Sequence, residues 1–192
     1  MLPNPYEVYI GLEAGAASIR NFEPVVVPGL LQTEDYARAT FRNGPRELDH
    51  DEVERRVEVR MARQEILSRE DRPRLWAVID EAVIHRLVGG VSVMRGQLRY
   101  LAEAAEQGKT TIQVVPYRAG AHAGTTGPFV ILDYAEASDP DVVYVETLAG
   151  DIYLEERSDV NRYTLAFDRL VAAALHPDES VQLIGRLAST LR

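Results

Sequence analysis

The order of hydrophobic and polar residues predicts helices in the first third of the chain. Apolar residues at helical spacing predict a helix over 6–19. A second, highly charged stretch over 47–70 carries Val53, Val57 and Met61 at four-residue intervals, which is typical of one helical face. The chain is therefore expected to begin with two helices, the second of them five or six turns long.

An extended apolar run separates these two helices. Val25–Val27 is followed by Pro28-Gly29, which breaks the run, and Thr33 then supplies a side-chain oxygen suited to cap a new helix. Glu34 and Asp35 follow, where negative charge is favourable against the positive end of a helix. We therefore expect a strand or extended arm that leads directly into a capped helix.

The remaining chain is predicted to alternate between strands and helices. Leu75–Ile79 is apolar on both alternating faces, as in a strand that is covered from both sides. Ser92 is placed to cap a helix that Gly108 ends, and Thr111–Val115 forms the next strand, which gives a βαβ-like unit. Further elements are expected as a short helix or turn over 82–88, strands over 129–134, 142–146 and 152–155, and helices from Ser158 or Asp159 to Leu175 and from Pro177 onward.

These elements predict an α/β (α+β) fold in a single domain. A helical N-terminal part, residues 1–72, would pack on a mixed-sheet core, residues 73–192, with about five strands, flanking helices and a C-terminal helix pair. With 46% hydrophobic residues, the 192-residue chain can close one substantial core. The strand order that ends in Phe129–Asp133 also resembles half of a phospholipase-D-like fold. That family's His-x-Lys signature is missing, because Ala123-Gly124 follow His122.

Charge and composition exclude several classes of protein. A formal net charge of −9 disfavours direct binding to DNA, which needs clustered cationic groups. Cysteine is absent, which excludes disulfides, thiolate metal sites and thiol catalysis. No apolar run approaches the ~20 residues needed to cross a bilayer, no signal-peptide pattern opens the chain, and His85 and His122 fall in no metal-ligand spacing. We expect a cytoplasmic protein with no cofactor and no metal.

Six polar residues occupy positions where apolar residues are expected or where open sheets form crevices. Arg60 and Gln64 lie within the apolar stripe of the helix over 47–70, where an unpartnered polar group costs roughly 1–3 kcal/mol or more. The full candidate ligand-binding set is Arg60, Gln64, Glu81, Gln97, His122 and Glu146. If they line one pocket, they suit a small polar or zwitterionic ligand. If they pair among themselves, they hold helices on the sheet.

A catalytic interpretation of some of these residues has less support. Arg60, Glu81, His122 and Glu146 around a small substrate would make a stand-alone enzyme. Such an enzyme needs a nucleophile activated by a base that is itself oriented, and the chain has no Gly-x-Ser-x-Gly elbow. We therefore predict no catalytic residue, and the enzyme stays the alternative hypothesis.

Several phrases along the chain are shared with one known family. Val27–Thr33 and Asp35–Ala39 closely resemble the C-terminal domain that follows a helix-turn-helix in Xre-type transcription regulators of actinobacteria. Further phrases resemble it in the same order: Arg60 with Arg63-Gln64, Val78–Ala82, Val88–Gly90, Met94-Arg95 with Gln97-Leu98, Gln113–Pro116, Ala119–Gly124, Phe129–Leu132 and Val142–Glu146. Each phrase is weak alone, but together they span nearly the whole chain.

The resemblance implies regulation rather than metabolism. The chain would be a ligand-sensing or partner-binding and dimerisation domain, with a small neighbour-encoded protein or a small polar ligand as its partner, in an antitoxin-like arrangement. DNA would be bound only by the helix-turn-helix that the family's regulators carry ahead of this domain. Since none precedes the domain here, we expect either a trimmed regulator or a stand-alone member. A pure dimerisation module would instead bury Tyr6, Tyr9 and the face of the last helix between subunits.

Overall fold

One mixed sheet organises the molecule, and helices cover both of its faces. The computed structural model describes residues 5–44, 47–108, 110–136 and 139–192, apart from the side chains of residues 5 and 6. Its helices are α1 (Pro5–Gly15), α2 (Glu34–Arg42), α3 (His50–Gln64), α4 (Glu81–His85), α5 (Val91–Glu106), α6 (Arg157–Ala173) and α7 (Pro177–Thr190). Its strands are β1 (Ser18–Glu23), β2 (Arg74–Asp80), β3 (Thr110–Val115), β4 (Phe129–Asp133), β5 (Val142–Thr147) and β6 (Gly150–Leu154). The α+β class with an open mixed sheet is as predicted.

The six described strands lie in the order β3-β2-β1-β4-β5-β6. β1, β2 and β3 are parallel, so the βαβ-like unit of β2, α5 and β3 is confirmed, and β4, β5 and β6 are antiparallel to their neighbours. It follows that four strands end at the same edge of the sheet. We call it the carboxyl edge and define it by the last residues of β1, β2, β3 and β5, which are Glu23, Asp80, Val115 and Thr147.

The two faces of the sheet carry separate hydrophobic cores. Strand alternation places Ile19, Ala77 and Val130 on one face, which packs against α5, α7 and the segment before α2. Phe22 and Val78 point to the other face, which α6 covers. The first face, which we call the large-core face, also contains the candidate site described below.

The largest difference from the sequence-based expectation is β1. Residues 18 and 19 were predicted as the end of the first helix, and the strand was expected at Val25–Val27. Instead, α1 ends at Gly15, and β1 occupies the middle of the sheet inside the segment that was expected to be helical. The strand was missed because only six residues form it and two of its inward positions are the polar Asn21 and Glu23, so the apolar alternation that marks a strand is absent. Hydrogen bonding to strands on both sides compensates.

The predicted start of α2 agrees with the structure, whereas the predicted starts of α5 and α6 do not. Thr33 caps α2, its Oγ1 accepting from the Tyr36 amide at 3.4 Å, as expected. Ser92 was expected to cap α5, but Gly90 does so at φ 87°, a conformation that favours glycine. The expected cap of α6 at Ser158 or Asp159 was also wrong, because the helix begins at Arg157.

The surfaces that a pure dimerisation module would bury between subunits pack inside the chain. Tyr9 is 3% exposed, and Ile184 of α7 is fully buried in the same core. The side chain of Tyr6 lies outside the described residues. Tyr9 and the α7 face are thus satisfied within one chain and are not free for a partner. No described helix is both long enough and apolar enough to cross a bilayer.

Candidate functional site

Arg60 and Gln64 of α3 hold the loop that precedes α2. The Gln64 Nε2 donates to the carbonyl oxygens of Gly29 and Gln32, at 2.9 and 2.8 Å. Arg60 Nη1 donates to Gln32 Oε1 at 3.0 Å. A Cβ at Gly29 would lie 2.7 Å from Arg60 Nη1, so only glycine lets the guanidinium approach the loop this closely. Pro28-Gly29 therefore both forms the turn and allows the loop to pack closely against α3.

Gln97 of α5 secures the same loop from the other side. Its Nε2 donates to the Leu31 carbonyl at 2.6 Å, and its Oε1 accepts from the Thr33 amide at 2.7 Å. The side chain is fully buried, and both ends of the carboxamide are occupied by backbone. Gln64 and Gln97 therefore have a structural role: their side chains hold the loop against α3 and α5.

Glu81 and His122 lie at the carboxyl edge, where β2 ends. Glu81 Oε2 accepts from the Tyr117 amide at 2.7 Å. His122 Nδ1 accepts from the Gly124 amide at 3.2 Å, which leaves the proton on Nε2 to donate to Asp80 Oδ2 at 3.2 Å. Both ring nitrogens are therefore engaged within the protein. Position 124 requires glycine because a Cβ there would overlap the ring of Phe22.

A second group of polar side chains faces the large core at the same edge, and sequence reasoning missed most of it. Asn21 of β1 pairs in register with Ala77 and Val130, and Val130 pairs with Tyr144, so these side chains form one row across the sheet. Two residues further along β1 and β5 come Glu23 and Glu146, which lie on the same face. The two carboxylates are separated by two strand spacings, about 10 Å of backbone.

The side chain of Glu23 is partly buried and makes no ion pair or hydrogen bond within the described residues. Burial raises the pKa of its carboxyl group to about 8, with repulsion from Glu146 acting in the same direction, while attraction to Arg60 and Arg63 opposes the rise. At neutral pH the protonated form of Glu23 is accordingly favoured. A carboxyl group tuned this way at a strand end is a functional-site candidate on physical grounds.

An ion pair and an aromatic stack lie beside Glu23. Arg63 of α3 pairs with the buried Glu13 of α1, the Nη2 to Oε1 distance being 2.9 Å. Glu13 also accepts from the Tyr9 hydroxyl at 2.7 Å, and the guanidinium of Arg63 lies 4.9 Å from the Tyr9 ring centroid. Tyr9 in turn stacks on Tyr144 at 4.1 Å. This arrangement holds α1 and α3 on the sheet face that carries Asn21 and Glu23.

Two buried side-chain atoms of the described residues lack a hydrogen-bond partner, Asn21 Oδ1 and Arg60 Nε. Asn21 is only 7% exposed, so its carboxamide has little access to water. Buried polar atoms are otherwise almost always satisfied, so each such atom needs a reason. Both belong to the group around Glu23.

The predicted set is thus divided by the structure. Arg60, Gln64 and Gln97 converge on the loop over 27–33. Arg60 and Glu146 also share the electrostatic environment of Glu23, whereas Glu81 and His122 form their own contacts where β2 ends. The sequence does contain a signal for the missed residues, because Asn21 and Glu23 occupy alternate positions just before Val25–Val27. Alternate positions share a face only in a strand, and residues 18–23 were not predicted as one.

Within the described residues, no group of three or more histidine and carboxylate side chains is placed to hold a metal ion. The arrangement can instead offer acceptors from β1 and β5 and a guanidinium donor from α3. That is binding chemistry for a polar organic molecule.

Comparison with known families places nearly the whole chain in one of them. Residues 6–186 match the family described as a domain of unknown function (DUF5753). The chain belongs to this family. No curated protein and no solved structure matches it. The family description names no activity, and the resemblance to half of a phospholipase-D-like fold stays a prediction.

Proposed function

We propose that this chain is the C-terminal sensor or partner-binding domain of an Xre-type, antitoxin-like transcription regulator. In this proposal it is cytoplasmic and forms homodimers, and it binds a small neighbour-encoded protein or a small polar ligand without transforming it. DNA is contacted only through a helix-turn-helix domain joined to its N-terminus. The resemblance of its sequence phrases to such regulators motivates the proposal.

The observation that carries it is a set of exposed hydrophobic residues on loops at or near the carboxyl edge. Val25, Leu87, Tyr117 and Leu148 are 49%, 50%, 59% and 85% exposed and lie on the loops that follow β1, α4, β3 and β5. The loops after β1, β3 and β5 leave the sheet at the carboxyl edge, so Val25, Tyr117 and Leu148 lie at the same end of the molecule. Leu87 follows α4, the helix that begins where β2 ends. Exposed apolar groups concentrated in one region are typical of an interaction surface.

The net charge supports the assignment of DNA binding to a separate domain. At −9, the chain lacks the cationic surface that neutralises phosphates, so DNA affinity has to come from another domain. A bound partner then changes regulation only if it prefers one arrangement of the domain over another, because equal affinity for both arrangements shifts nothing.

The alternative, a stand-alone enzyme, is less well supported by the geometry. Both ring nitrogens of His122 are engaged by Asp80 and Gly124, and Glu81 is bound to the Tyr117 amide. Neither side chain is oriented toward a nucleophile. A general base must reach the proton that it abstracts, and these two would first have to break internal contacts.

The test joins the chain to a helix-turn-helix domain and measures operator affinity with and without the neighbour-encoded protein. We expect a complex by calorimetry and an operator affinity that changes at least tenfold. The double variant Tyr117→Ala, Leu148→Ser should weaken the complex, while Leu165→Ser, which removes an apolar residue 58% exposed on α6, should not. No complex and no change in operator affinity would remove the partner hypothesis.

A further inference from the structure

Asn21 is the observation from which a second, smaller binding site follows. Its side chain is buried and without a hydrogen-bond partner, although it lies in the middle of the central strand of the sheet. A leucine or valine would be more stable there, since burying an unpaired carboxamide costs free energy. Strand alternation aims this group at the same face as Glu23.

Three elements bring further polar groups toward this part of the sheet face. β1 presents the Asn21 carboxamide and the Glu23 carboxyl group, and β5 presents Glu146 on the same face. From α3, Arg60 has its Nη1 bound to Gln32 while its buried Nε has no acceptor. Glu23 and Arg60 are near enough to interact electrostatically but do not pair with each other.

From this geometry we infer that the large-core face at the carboxyl edge binds a small zwitterion of the basic amino-acid type. Its cationic group is held by Glu23 and Glu146, its second amine by Asn21 Oδ1, and its carboxylate by Arg60 Nε. Three acceptors on the strands and one donor on α3 match a molecule that carries both charges, and a simple amine would leave Arg60 unsatisfied. The inference names a ligand class for the proposed sensing role. It rests on that proposal only for the effect of binding on regulation.

Binding of a cation at Glu23 should release a proton. The groups that face Glu23 are Glu146 from β5, Arg60 and Arg63 from α3, and Tyr36 from α2. With these neighbours and its burial, Glu23 keeps its proton near neutral pH. A ligand cation takes the place of that proton: the O–H bond of the carboxyl group breaks, the proton goes to solvent, and the carboxylate pairs with the ligand.

The experiment is isothermal calorimetry on the full chain with named probes. L-arginine, L-lysine and L-ornithine are compared with agmatine, cadaverine and putrescine, which lack the carboxylate. We expect at least one amino acid to bind and to bind at least tenfold more tightly than its matching amine. Glu23→Gln and Arg60→Gln should each weaken that binding at least tenfold.

Matched controls come from exposed residues of the same kind. Glu58 lies on α3 two residues before Arg60, and Glu58→Gln makes the same carboxyl-to-carboxamide change as Glu23→Gln. Arg99 lies on α5, and Arg99→Gln makes the same change as Arg60→Gln. Both should leave the affinity unchanged. Because Arg60 also supports the loop over 27–33, Asn21→Ser serves as an additional site variant, and circular dichroism confirms that each variant is folded.

Proton release gives a readout that a purely structural role for Glu23 would not produce. Calorimetry near pH 7 in two buffers of different ionisation enthalpy should show release of up to about one proton by the wild type and none by Glu23→Gln. The inference is overturned if no probe binds, if the amines bind as tightly as the amino acids, or if Glu23→Gln keeps full affinity. None of these outcomes depends on DNA or on the neighbour-encoded protein, so the partner proposal fails or stands separately.

Discussion

Two groups of buried polar side chains lie close together in this protein and behave in opposite ways. Around the loop over 27–33, Gln64 and Gln97 bond to backbone atoms, and Gln97 also accepts from the Thr33 hydroxyl. On the neighbouring strand β1, the side chains of Asn21 and Glu23 are buried or partly buried and make no hydrogen bonds. The first group is what a fold needs to hold a loop, and the second is what a fold would avoid unless another molecule satisfied it.

Arg60 connects the two groups. Its Nη1 belongs to the loop through Gln32, whereas its Nε faces no acceptor. The position of a polar residue on an apolar stripe therefore does not show whether its role is structural or binding. Whether their hydrogen bonds close inside the chain decides which of them are structural and which are available for binding.

The largest effect is expected at the ion pair that holds α1 and α3 beside the site. Arg63→Met leaves Glu13, which is 1% exposed, as an uncompensated buried charge, so the free energy of unfolding should fall by about 3–5 kcal/mol. Arg55→Met breaks an exposed pair with Glu52 on the same helix and should cost less than about 1 kcal/mol. Urea unfolding measures both, and similar losses would show that Glu13 is not confined as described.

Next comes the loop itself. Gln97→Leu leaves the Leu31 carbonyl and the Thr33 amide without partners, which should destabilise the protein by about 2–4 kcal/mol. The same substitution at the exposed Gln107 should change stability by no more than about 0.5 kcal/mol. Chemical denaturation of the two variants decides the matter. If Gln97→Leu leaves the stability unchanged, the hydrogen bonds of Gln97 do not stabilise the loop.

A smaller effect of opposite sign is expected from Glu23→Gln. In the wild type the native carboxyl group keeps its proton up to a pKa of about 8, whereas an ordinary glutamate loses it near 4.5, so stability falls as pH rises through this window and levels off above it. Glu23→Gln removes the loss and should be about 1–2 kcal/mol more stable than the wild type at pH 8, with little difference near pH 4. Thermal unfolding across this range tests it. Glu58→Gln should follow the wild-type profile, and a Glu23→Gln profile parallel to the wild type would contradict the raised pKa.

The smallest effect sharpens the comparison most directly. Asn21→Leu replaces an unpartnered carboxamide and should stabilise the empty protein by about 0.5–1 kcal/mol. Gln113→Leu is the matched control, because that buried carboxamide accepts from Trp76 and donates to the Leu175 carbonyl, so it should destabilise. Differential scanning calorimetry separates the two signs. A destabilising Asn21→Leu would show that the carboxamide already has a partner.

Much of the fold could be predicted because its apolar pattern is local. The strands near 75–79 and 111–115 and the helix between them follow from continuous or periodic apolar residues, and Thr33 marks a helix start by its own side chain. β1 could not be predicted this way, because its hydrogen bonds come from β2 and β4, which are distant in sequence. The Gly90 cap likewise depends on a backbone conformation that no neighbouring side chain announces.

The candidate site was predictable only in part, and for the same reason. Arg60 and Glu146 were found because each interrupts an apolar surface, and Glu146 ends a recognisable strand. Asn21 and Glu23 were missed together with their strand. Their polar side chains interrupt the apolar alternation by which β1 would have been recognised. Gln64 and Gln97 were detected by the same signal as Arg60, but their amides meet backbone groups whose positions the sequence pattern does not give.

By itself, the sequence determined the α+β class, the order of most elements, the exclusion of thiol chemistry and the presence of polar groups on apolar surfaces. Composition and periodicity are local properties, so they can be read without coordinates. Only the tertiary structure decided which of those polar groups found partners, because hydrogen bonds between β1, β5, α3 and α5 join residues far apart in the chain. It also decided that four strands end at one edge, and so brought the apolar loops and the carboxyl group of Glu23 to the same end of the molecule.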